Sequence, residues 1–581
     1  VRFYADVLEK RAAGELFEQL DNLAVQLANP DCRTIPGKAL DIARDGLILS
    51  GMLEQGLADD PELSSATAGI AQGINVSAAA LSDWWADRVV APADAVGAPV
   101  RPSLDGSAVP LSIVVPEGYL FYALFPELYA QVGRDMARES SEIRYVVVGV
   151  RSIGTSLSAA LAAGLRAAGC LVVRHTVRPI GDPFDRKVVI SPKVQTEWRE
   201  ASERGSRFVA VDEGPGLSGS SLASVVQAFH RTGVSPDQIV IVCANPPGSL
   251  PQAGSEVQAI WQTTAFHSVQ PVSERLLTEC IPTLLSSACN TRLQLDRDLS
   301  WGAWQEKVPS LLPLFERRKL LLRDQKGGQV VAKFVGFGAW GAHKAAGSRR
   351  IAERGLAPPF RGYAHGFLVQ DWVEGPLPGT VAKSNGPELL DAAATYYAGL
   401  RRDTSPSSNA IDLAELVTTV DEIRDAWFGV GGFGDLGPML QAAAAGTPRT
   451  CEGDQRPEPV EWRRSGHRIL KCDTADHYLD HSWARRQDIA FDLAGFMDEW
   501  HLDPDQRDQF MAAYTRASGD IGAPNRLPFF RCVYHAHRLA MFDTAYHAGM
   551  DDGDGSIAGK RQSVGEWLAI ALAAQPAARC V

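Results

Sequence analysis

No CxxC pair occurs anywhere in the 581 residues, and the nine cysteines are scattered. Neither a zinc ribbon nor a disulfide framework is therefore indicated, and a reducing cytoplasm is the compartment that fits. Also missing is any run of about 18 apolar residues, so the sequence offers nothing to span a bilayer. The opening "VRFYADVLEKRAAGELFEQL" is charged and helix-periodic where a signal peptide would carry an apolar core. Excess positive charge is absent too: the formal net charge is −12. Without a global positive field the chain is not expected to bind nucleic acid or a membrane surface, and an anionic ligand has to be caught locally. There is no internal repeat or low-complexity tract. What is present is core material, 45% hydrophobic against 22% charged residues, in a chain long enough for several domains of about 100–200 residues.

Residues 1–95 show apolar positions at three- and four-residue spacing, as in "LEKRAAGELFEQLDNLAVQLA", and predict a helical cap. "APADAVGAPVRPSLDGSAVP" has no periodicity and marks a boundary. Continuous apolar runs then alternate with helical stretches: "RYVVVGV", "GCLVVRHTV", "RFVAVDE" and "QIVIVCA". Such runs predict a parallel sheet covered on both faces, an α/β domain over 96–295. From 296 to 581 a strand–turn–strand, "RRKLLLRDQKGGQVVAKFVG", a helix and "GFLVQDWVEGPLPG" precede a long helical region, which predicts a two-lobed α+β domain.

The densest signal is "RFVAVDEGPGLSGSSLASVVQAF". A buried strand ending at Asp212 and Glu213 sets two carboxylates at the sheet's carboxyl edge, where open α/β sheets bind ligands. Gly216 and Gly219 let a ligand approach the backbone, Ser218, Ser220 and Ser221 offer hydroxyls, and a helix N-terminus points at the same place. No lysine follows Gly219, so this is not a P-loop. The order of strand, two acids and Ser-Gly loop resembles the PRPP-binding motif of the type I phosphoribosyltransferases, with serines for threonines and one more residue before the loop.

That resemblance implies that Asp212 and Glu213 hold the ribose hydroxyls and the serine loop the 5-phosphate. It implies a pyrophosphate loop at "VRSIGTS", with Arg151 as a catalytic cation and Ser152, Gly154 and Thr155 as donors. It further implies a basic closing loop that includes Lys187, with Arg174, Arg178, Arg186 and Lys193 near it. The aromatic run Tyr119, Phe121, Tyr122, Phe125 and Tyr129 is either a stacking surface or core.

The C-terminal half is similar to the aminoglycoside-phosphotransferase-like kinases through Lys333 in a strand, the hinge around Asp371, and "RILKCD" followed by "FDLA". The resemblance implies Asp473 as metal ligand, Asp492 as a supporting acid, and ATP and Mg2+ as co-substrate and cofactor. No HxD with a following Asn stands upstream of Asp473; Glu461 occupies roughly that place. In "DHYLDH" (Asp476, His477, Asp480, His481) the metal-capable groups read as surface polar pairs, and His535 and His537 diverge on their helix.

The expected function is Mg2+-dependent phosphoribosyl transfer from PRPP to a small, nucleobase-like acceptor, with a fused kinase-like domain acting on a related molecule. The alternatives are a PRPP- or nucleotide-binding sensor without turnover, and a small-molecule kinase with an inactive first domain. A homodimer is compatible with either.

Overall fold

A computed structural model of the chain describes residues 3, 8–29, 37–87, 109–139, 144–216, 218–244, 250, 253–269, 275–300, 317–375, 386–403, 412–431, 433, 436–448, 450–474, 477–479, 482–549 and 556–574. Helices Ala13–Ala28, Lys38–Asp59 and Thr67–Asp87 form the cap, as their periodicity dictates. The cap also carries strand β1 (Leu8–Ala12), which pairs antiparallel with β2 (Pro110–Val114) from beyond the Pro/Gly/Ala connection. The strand pair was not anticipated, because "LEKRA" reads as part of the following helix.

Strands β3 (Arg144–Val150), β4 (Leu171–Val177), β5 (Arg207–Val211), β6 (Ile239–Ala244) and β7 (Ala265–Val269) form a parallel sheet in the order β4-β3-β5-β6-β7. The inner strands are buried almost throughout, since helices such as Gly154–Ala167 and Ser220–Arg231 shield both faces, and this is why they read as unbroken apolar runs. Edge strand β4 exposes Leu171 and Val173. Topology reverses at β3, which has its successor β4 on one side and β5 on the other. Open sheets bind ligands at such a switch point.

A second sheet is antiparallel, in the order β11-β12-β10-β9-β8, from β8 (Leu293–Asp298), β9 (Lys319–Asp324), β10 (Gln329–Phe334), β11 (Phe360–Ala364) and β12 (Phe367–Asp371). Because β8 pairs with β9, this unit begins before residue 296, the boundary expected from sequence. Helix Gly338–Glu353 follows β10, and hairpin β13 (Trp462–Ser465) and β14 (Arg468–Lys471) sits within the helical remainder. Among the described residues no helix is long and apolar enough to cross a membrane.

One apolar cluster runs through cap, parallel sheet and second sheet alike, including Leu47, Tyr119, Val147, Leu285, Phe334 and Phe367. Polar ties reinforce it. Cap residue Arg44, 1% exposed, pairs with Glu127 at 2.5 Å and Asp41 at 2.7 Å, and Asp41 also meets His365 Nδ1 of the β11–β12 turn at 2.7 Å. The Phe337 N–H donates to Tyr119 O at 3.0 Å. Of the aromatic run, Tyr119, Phe121, Phe125 and Tyr129 are core, and Tyr122 is half-buried.

Candidate functional site

Two places gather the predicted residues. The first is the switch point. The turns after β3 and β5 lie side by side there, so tightly that a Cβ on Gly154 would stand 2.8 Å from Val211 O and 3.4 Å from Asp212 Oδ1. Gly216 and Gly219 both take positive φ, at 61° and 67°, and Gly219 begins the helix. Ser152 also sits at positive φ, 127°, a strain of about 1–3 kcal/mol for a residue with a Cβ.

Asp212 and Glu213 are part-exposed at the strand end. Asp212 Oδ1 accepts from the Glu213 N–H at 2.9 Å, and Glu213 Oε2 accepts from the Gly118 N–H at 2.8 Å. Burial, and then the neighbouring Glu213 carboxylate, raise Asp212 well above the ordinary carboxylate range. Burial pushes Glu213 up to about 7 against the pull of the Gly118 N–H. Ser218 Oγ and Ser220 Oγ both donate to Pro183 O, at 2.8 and 2.7 Å, so the loop after β4 reaches onto the serine turn. Ser221 is half-buried beside them, and Thr155 Oγ1 is buried with no hydrogen-bond partner among the described residues.

The expected cations are placed otherwise. Arg151 donates to Asp59 Oδ1 and Ala58 O of the cap at 2.9 and 3.1 Å and to Thr176 O at 3.2 Å, which ties it to the scaffold and not to the loop it begins. Arg178 likewise pairs with Asp59, and Arg174 with Glu54 at 2.6 Å. Lys187 is exposed and pairs with Asp185 at 2.7 Å. The basic stretch therefore clamps helix Lys38–Asp59, whose acids lie too far away in sequence for a local reading to pair them.

The second place is a cleft between the second sheet and the hairpin β13–β14. Lys333, Lys319, Asp371, Glu461 and Asp473 line it, with Leu299, Val331, Pro358, Val373 and Val460 as its apolar walls. Lys333 Nζ pairs with Asp473 Oδ1, and Lys319 Nζ with Oδ2 at 3.1 Å. Burial alone would raise Asp473, but Lys319 and Lys333 overcome it and hold the carboxylate well below its usual range. Glu461 is shifted the opposite way, by burial and by the Asp473 charge beside it. Asp371 is gripped by Arg361 at 2.5 and 2.9 Å. His477, expected on the surface, is 5% exposed and close enough to Asp473 to lower it; Asp476, Asp480 and His481 lie outside the described residues. Two carboxylates facing one cleft make the hard oxygen donor set that suits Mg2+.

Sequence reasoning missed Asp454. It is fully buried in "EGDQRPEP", and Lys471 Nζ of β14 lies 3.1 Å from its Oδ2. The same ammonium donates to Asp473 O, so one lysine bridges the two acidic segments. Asp492, on helix Ile489–Glu499, accepts from the backbone N–H groups of Asp454 and Gln455 at 3.0 and 2.6 Å and fixes this loop. The contacts that mark it come from separate elements, β14 and helix Ile489–Glu499, so no local spacing in the sequence reveals it.

No family model matches the chain, and no curated protein matches it. Solved structures similar to it include a choline/ethanolamine kinase family protein from Mesorhizobium loti, at 15% identity and TM-score 0.32, covering 47% of this chain and 94% of that one. Another is the choline kinase LicA from Streptococcus pneumoniae, at 13% identity and TM-score 0.28, covering 43% and 89%. A third is the macrolide 2′-phosphotransferase MphH from Brachybacterium faecium, at 14% identity and TM-score 0.30, covering 49% and 96%. At such TM-scores the likeness carries no argument about chemistry, which rests on the side chains described above.

Proposed function

We propose that the chain binds a nucleoside triphosphate in the cleft and passes its terminal phosphoryl group to a hydroxyl of a small molecule. The observation that carries this is the set of Lys333 and Lys319 around Asp473, with Glu461 beside it, at one end of an apolar slot. Strand lysine, carboxylate after a hairpin and backbone hinge are the parts phosphoryl transfer requires, because its catalysis is mostly positioning and charge neutralisation. Asp473 and Glu461 would hold Mg2+, which would neutralise phosphate charge. Both lysines can exchange Asp473 for phosphate oxygens. Asp454 is the base: it takes the acceptor's proton as that oxygen bonds to phosphorus and the bond to the nucleoside diphosphate breaks. Lys471 balances the Asp454 charge, and Asp454 has no exposed surface, so an acceptor reaches it only when the covering residues part.

The test is ADP formation by the full chain with ATP, Mg2+ and a panel of small alcohols and amino alcohols. Consumption that is lost in Asp473→Asn and in Asp454→Asn supports the reading. Tight nucleotide binding without consumption would make the protein a nucleotide-responsive binding protein instead.

The switch point supports a second reading, phosphoribosyl transfer from PRPP to a small acceptor. Two part-exposed acids and converging serine hydroxyls stand where an open sheet takes its ligand. A phosphate would displace the Pro183 carbonyl from Ser218 and Ser220. Pyrophosphate release from PRPP with Mg2+ and candidate bases, abolished by Asp212→Asn, supports it; failure to bind PRPP removes it.

A further inference from the structure

Gln370 lines the cleft from the end of β12, is 4% exposed, and has an Nε2 without a hydrogen-bond partner among the described residues. A buried amide donor left unpaired is costly, and a native structure keeps such a group where something else completes it. Its place says what. In the β10–β12 register Gln370 stands opposite Val331, and Lys333 stands opposite Leu368. Side chains two apart on a strand share a face, so Val331, Lys333 and Gln370 all front the cleft. The amide lies beside the apolar wall, one step along from the phosphate-facing lysine. The backbone that follows it is anchored as well, with the Asp371 N–H on Pro359 O and the Trp372 N–H on Gln329 O, both at 3.0 Å.

We infer that Gln370 reads the nucleobase and selects adenine over guanine, an inference that rests on the nucleotide reading of the cleft. A carboxamide offers one donor beside one acceptor. Adenine presents the complement, the N6 amino group as donor and N7 as acceptor, and is the base that Gln pairs with through two bonds. Guanine presents O6 and N7, two acceptors, and leaves the Gln370 carbonyl facing a lone pair. Sites built around a polar partner reject analogues that lack it far more strongly than apolar pockets reject shape.

The experiment is equilibrium titration of the full chain with Mg2+ and ATP, GTP or 7-deaza-ATP, repeated on Gln370→Met. Wild type should bind ATP about tenfold tighter than either analogue, and the variant should bind all three within about twofold of one another. Because 7-deaza-ATP removes N7 from the ligand, the wild-type comparison stands even if the variant does not fold. Binding of all three nucleotides equally by wild type, or an ATP preference that survives in Gln370→Met, overturns the role of Gln370 and leaves the nucleotide reading in place. Binding of none of them overturns both.

Discussion

Asp212 with Glu213, and Asp473 with Glu461, are the same pair of side chains in opposite electrostatic settings. At the switch point the two acids face each other and backbone N–H groups, the cations nearby having been drawn off to the cap, and both are raised. In the cleft Asp473 sits between two ammonium groups and is lowered, although it is the more buried of the two aspartates. The difference teaches that burial sets the cost of a carboxylate and the nearest cation decides its charge. A site with its own cations can receive phosphate by exchanging partners. A site without them has to receive its cation together with the ligand.

The strongest way to break this contrast is Asp473→Asn. It should cut any ATP consumption by at least about a hundredfold and, by leaving Lys333 and Lys319 facing a neutral group, cost about 3 kcal/mol measured by urea denaturation. Lys471→Met should cost a similar or slightly smaller amount, about 3 kcal/mol, because it strands Asp454 in a dry interior; Lys471→Met combined with Asp454→Leu should recover most of that loss. Removing the cap's carboxylate through Asp59→Asn should lower stability by about 1 kcal/mol and leave the charges of Arg151 and Arg178 without their acid partner, which sharpens the comparison by strengthening the positive field near the switch point.

The smallest effect is expected from Glu213→Gln. Glu213 has a folded-state value of about 7, above its unfolded one, so the folded state keeps a proton that the unfolded state releases. Stability therefore falls as pH rises from about 4.5 to 7 and stays reduced above it. The amide variant should melt about 1 °C higher than wild type at pH 7.5 and the same at pH 4.

Much of this was legible in the chain. Strands β3, β5 and β6 announced themselves because double coverage makes every residue apolar, and the acids and serines after β5 were found through the order of strand, carboxylates and glycine turn. Lys333 and Asp473 were located separately; their pairing comes from folding across 140 positions. Edge strands hid better. "AFHSV" of β7 is short and half-exposed, and "LQLDRD" of β8 carries charges that suggest a loop until its pairing with β9 is seen. The pairing of Arg151 could not be read locally, because its partner Asp59 lies 92 residues away. Asp454 was invisible for a chemical reason: what marks it is a lysine in one element and a backbone clasp from another, and neither has a fixed offset from it.

The apolar cluster shared by cap, parallel sheet and second sheet means that the two halves of the chain are not modules that can be excised. A fragment cut near residue 295 would leave Phe334, Phe337 and Phe367 without their neighbours from the other side and would part Asp41 and Arg44 from the turn that holds His365. The two halves are thus joined through the interior, and each serves as the other's scaffold.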